Sequence, residues 1–172
     1  MATPAARDER VARFNRIILP LLQELVARDP LDQTFARVQT QIAIGIREVP
    51  TRVIETAGPY LFKYRNAILD PALRAHEHQL RAHSFRAEFD AAPPSEKKEF
   101  SRYILEKLQT WWDVRSEAEF QLYTPALQEL TRVYIEYLLL QKGIAPPLRP
   151  PPALEIFSDA ARAAVRNSRG AN

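Results

Sequence analysis

Apolar positions recur along most of this chain at spacings of three and four, the period of a helix face rather than of a strand. Val11, Phe14, Ile18, Leu21 and Leu25 step by three, four, three and four through a first segment from about Arg7 to Arg28. Pro20 lies inside that seam, and its ring predicts a bend or a restart there. Asp29-Pro30 closes the segment, and Asp32 is placed to cap a second helix whose stripe is Phe35, Val38, Ile42, Ile46 and Val49. Gly45 within it is either a weak point of about 1 kcal/mol against alanine or a point of close helix approach. Pro50 suits the first turn of a third helix. Its apolar side, Val53, Ala57, Leu61, Tyr64 and Ile68, keeps phase through Gly58-Pro59, so the spacing predicts a helix kinked or restarted at that dipeptide.

Asp70-Pro71 repeats the cap-then-proline signal, and residues 72–89 read as a weakly amphipathic, exposed helix followed by a connection at 91–95. Phe100, Ile104, Leu108 and Trp111 form the next stripe. Ser116 and Glu119 have the spacing of a capping box, with Pro125 expected to restart the helix they open. Leu127, Leu130, Tyr134, Tyr137 and Leu138 supply its buried face, and Gly143 stands just past its end. Residues 145–152 hold five prolines, which predicts an extended polyproline-like strap. A last amphipathic segment carries Leu154, Phe157, Ala161, Ala164 and Val165 on one side and Arg162, Arg166 and Arg169 elsewhere.

These elements predict an all-α fold: an irregular bundle of about six or seven Pro-kinked helices with a Pro-rich strap and a C-terminal amphipathic helix. The expected organisation is a helical domain over 1–143, a linker over 144–152 and a C-terminal helix and tail over 153–172. Composition agrees, because 14 prolines against 4 glycines suit helices joined by Pro-started connections better than an all-β domain. The net charge of +3 is a mild basic excess. Cysteine is absent, which removes disulfides, thiolate metal sites and a Cys nucleophile. No apolar run approaches the ~20 residues of a membrane helix, and the first residues lack the apolar core of a signal peptide. The expectation is a soluble intracellular protein with no membrane partner.

Three histidines fall within eight residues, but His76, His78 and His83 lack the spacing of a zinc site and read as surface residues. Phosphate-cradling glycine loops and a GxSxG elbow are absent, so the chain is expected to be no enzyme and to carry no cofactor. The stretch from Gly58 to Arg65 combines three aromatics with Lys63 and Arg65. Its tyrosines Tyr60 and Tyr64 satisfy the helix stripe, so core packing is the first reading and base stacking the second. Arg7, Arg10, Arg13 and Arg16 recur every third position and read as a solvated face or as a contact to phosphate or an acidic partner.

The run from Ile54 to Ile68 resembles a segment of small helical proteins of unassigned function encoded by large double-stranded DNA viruses, where Gly, an aromatic and Lys-Tyr-Arg precede a Tyr-rich final helix. That resemblance implies a viral structural, assembly or accessory protein and no reaction. The leading expectation is thus a non-enzymatic interaction protein whose partner is another protein or a second copy. Its partner surface is expected at the two ends, at Val11, Phe14 and Ile18 and at Leu148, Leu154 and Phe157. The alternative is nucleic-acid binding through Arg10, Arg13, Arg52, Lys63, Arg65, Arg162 and Arg166.

Overall fold

A computed structural model describes residues 3–70, 106–107, 110–111, 113–149 and 158–170. These are all-helical apart from caps, turns and the strap. Five helices of twelve residues or more and one single turn are complete among them, and the stretches expected to bring the number to six or seven lie mostly outside. Helix α1 spans Pro4–Arg28, α2 Gln33–Glu48, α3 Arg52–Lys63, the turn α4 Arg65–Ile68, α5 Glu117–Gln141 and α6 Asp159–Gly170.

Capping sets the starts of α1, α2 and α5. Thr3 accepts the Ala6 amide at 3.2 Å with Pro4 in the first turn, so α1 starts before the expected Arg7. Asp32 accepts from the Thr34 amide at 3.0 Å, as the sequence predicts. Ser116 and Glu119 form the full capping box of α5: the Ser116 oxygen accepts the Glu119 amide at 3.1 Å, and the Glu119 carboxylate accepts the Ser116 amide at 3.4 Å. Pro20 and Pro125 do not restart their helices, since α1 and α5 are continuous through them. Pro59 likewise sits inside α3, so the helix does not restart at Gly58-Pro59, and α3 ends at Tyr64.

Helix α5 is the element the rest surrounds, touching α1, α3, α4 and α6. Its Leu122, Ala126, Leu130, Val133, Tyr134 and Tyr137 meet Val11, Phe14, Leu21, Val53, Ile54 and Val165 in one core. Burial of each large aliphatic side chain is worth about 1.5–3 kcal/mol. Val165 of α6 is in that core, so the C-terminal helix packs on the helices before it. A satellite contact sets Phe35 against Trp111 at 4.7 Å with the rings tilted by 48°, beneath Lys107. Two expected core positions lie outside it. Val49 falls just past the end of α2, and Tyr60 is exposed on α3.

The glycines inside α2 and α3 differ in kind. A Cβ at Gly45 meets nothing within 4 Å, so close approach is not its reason. Gly45→Ala is expected to raise stability by about 0.5–1 kcal/mol, read as a higher midpoint in thermal unfolding.

Candidate functional site

The expected N-terminal partner residues prove to be core. Phe14 and Val11 are buried and Ile18 packs against them, because their seam faces α5 instead of a second protein. Leu154 and Phe157, like His76, His78 and His83, lie outside the described residues. Of the six expected contact residues, Leu148 alone is both described and presented to solvent, and it is wholly exposed.

Leu148 sits on a strap held at both ends. At the head, Gly143 has φ +74, which places it in the left-handed region glycine tolerates. The Gly143 amide donates to the Leu140 carbonyl at 3.1 Å, and the Ile144 amide reaches the Leu139 carbonyl at 2.9 Å. That pair of bonds is a Schellman motif, and it sets the angle at which the strap leaves α5. At the foot, Arg149 grips Glu129 with two parallel bonds, Nη1 to Oε2 at 2.8 Å and Nη2 to Oε1 at 2.9 Å. Its Nε bonds Glu136 as well. Such a fork fixes direction as well as distance.

The same two carboxylates receive the arginine stripe of α1. Arg10 Nε donates to Glu136 at 2.7 Å, and Arg13 lies 3.1 Å from Glu129. A second ionic cluster holds α6. Arg162 donates to Glu24 at 2.8 Å, while Arg169 donates to the Glu24 carbonyl at 3.0 Å and to the Tyr123 hydroxyl at 2.8 Å. Arg28 bonds Glu119. The carboxylates Glu24, Glu119, Glu129 and Glu136 are all buried, and sequence reasoning did not single out three of them and read Glu119 only as a cap. A signal exists in retrospect. Glu129 and Glu136 are seven apart, in phase with the apolar face of α5, and a charge at a core position needs a partner.

This arrangement disposes of much of the expected basic surface. Arg10, Arg13 and Arg162 are spent on internal carboxylates, and Arg166 lies 3.7 Å from Glu24. Arg65 folds over the Phe62 ring at 4.0 Å and donates to its carbonyl. Arg52 and Lys63 remain exposed on α3. Among the described residues no group of His, Asp and Glu is arranged to hold a metal, and no helix is long and apolar enough to cross a membrane. A groove of about 700 Å³ runs along α1 past Ala12 and Asn15 to Ile46 and Pro50, and Asn15 donates to the Pro50 carbonyl at its floor.

Electrostatics make the foot of the strap sensitive to acid. Burial pushes the Glu136 carboxyl up, but the bonds from Arg149 and Arg10 outweigh it and hold the group below its ordinary value of 4.5. Arg149 is pushed up, first by its bonds to Glu129, so it stays charged throughout. A carboxyl lowered on folding contributes stability above its unfolded pKa and loses it as pH falls through the folded one. The strap is therefore expected to hold firm at neutral pH and to loosen below about pH 4.5, followed by ¹⁵N relaxation at the Leu148 amide. A Glu136→Gln variant should show a weaker response over that range. No protein-family model, curated protein or solved structure matches the chain.

Proposed function

We propose that this chain is a non-enzymatic protein-interaction module that meets its partner through the strap between α5 and α6. The observation that carries the reading is Leu148, a large apolar side chain wholly in solvent on a backbone fixed at both ends. A single exposed leucine is ordinary. One held out by a Schellman turn and a bidentate ion pair to a buried carboxylate is a different matter, because an anchored backbone has already lost freedom that binding would otherwise have to remove. Ile144, half exposed three positions past the end of α5, adds a second apolar side chain to the strap. The likeness of the Ile54 to Ile68 run to viral helical proteins fits a structural or assembly component. Nucleic-acid binding is the weaker reading, since Arg10, Arg13 and Arg162 already face carboxylates.

Immobilised wild-type protein, Leu148→Asp and Leu31→Asp test this in extract of the source cells. Leu31 is nearly as exposed and serves as the control. The expected result is a partner retained by wild type and by Leu31→Asp and reduced about tenfold or more on Leu148→Asp. Identical retention by all three would refute a role for the strap.

A further inference from the structure

The strap hides every third residue. Pro146 and Arg149 are half-buried, whereas Ile144, Ala145, Pro147 and Leu148 are exposed. A polyproline II helix has three residues per turn, so residues three apart share an edge. One edge, Pro146 and Arg149, lies against the domain and is tied to it by the guanidinium. The other two, Ile144 with Pro147 and Ala145 with Leu148, face outward.

Resting on the interaction reading above, we propose that residues 144–149 are a polyproline II ligand for an aromatic-lined groove on the partner, with Pro147 and Leu148 as the inserted side chains. Two outward edges on a threefold helix make two ridges, and flat Trp and Tyr faces build the clefts that receive such ridges. A polyproline II backbone makes no hydrogen bonds of its own, so its carbonyls are free to accept from Trp N–H and Tyr O–H on the groove wall. Lys142 at the head of the strap is exposed and has no ion-pair partner among the described residues, which favours a groove with an acidic rim. Arg149, the one cation inside the strap, is turned inward and takes no part. It acts as a positioning residue, keeping the outward edges in place.

The test titrates the full chain against purified WW, profilin and Src-homology-3 domains, chosen because their grooves are built from Trp and Tyr. Binding is read by calorimetry at two salt concentrations. At least one domain should bind in the micromolar range. Pro147→Ala and Leu148→Asp should each weaken it about tenfold, and Leu31→Asp less than about twofold. Lys142→Glu should weaken binding and flatten its salt dependence. Silence across the panel, or binding indifferent to Leu148→Asp, overturns the inference. If Leu148-dependent capture from extract succeeds while the panel is silent, the partner reads the strap by other chemistry and only this inference falls. If capture fails too, the interaction reading falls with it.

Discussion

Gly58→Ala is expected to destabilise the protein by about 3 kcal/mol, although alanine is the better helix former by about 1 kcal/mol. Gly58 is buried inside α3, and a Cβ there would stand 2.2 Å from two atoms of the Tyr134 ring. That ring is not a flexible end that can swing aside. It is itself buried, stacked near Tyr137 at 6.3 Å and edge-on to Phe62 at 6.4 Å. Tyr137 in turn donates to Glu55 at 3.0 Å, which ties α3 to α5 on the same side. The added methyl must therefore push α3 off α5. Chemical denaturation of wild type, Gly45→Ala and Gly58→Ala gives opposite signs for the two glycines if this packing is right. Two changes of the same sign would mean that propensity, not approach, governs both.

The second large effect is expected at Arg149. Opening a buried ion pair by removing one partner costs about 3–5 kcal/mol, since the other charge is left uncompensated. Arg149→Ala should fall at the lower end, near 3 kcal/mol, because Arg13 still faces Glu129 and Arg10 still bonds Glu136. Arg149→Lys should recover part of the loss and not all of it, as an ammonium cannot reproduce the fork. Urea unfolding separates the three proteins. A change below about 0.5 kcal/mol for Arg149→Ala would show that the strap is merely resting on α5.

The sequence announces the helices through residues whose physics is local. Asp32, Ser116 with Glu119, and Gly143 each act on amides or carbonyls within a few positions, so their spacing is legible without a fold. Prolines mislead because their cost is local while its compensation is not. Pro20, Pro59 and Pro125 stay inside continuous helices whose apolar faces are held by the core. Tertiary electrostatics are least visible. Nothing near Arg149 in sequence says that it closes on Glu129, twenty residues back, or that Arg162 reaches Glu24 across the whole chain. The arginine stripe of α1 looks like a basic surface until α5 supplies the acids. The candidate site divides the same way. Leu148 was recognisable from the Pro-rich composition around it, but its fixed presentation depends on those distant contacts.

A strap that presents Leu148 to a partner must be rigid in solution before any partner arrives. Backbone ¹⁵N relaxation at the Leu148 amide measures this directly in wild type and in Arg149→Ala. An order parameter near that of rigid backbone, about 0.85, is expected in wild type, falling below about 0.6 once the guanidinium is removed. A low value in wild type, or one that Arg149→Ala leaves unchanged, would contradict a rigid strap held by Arg149.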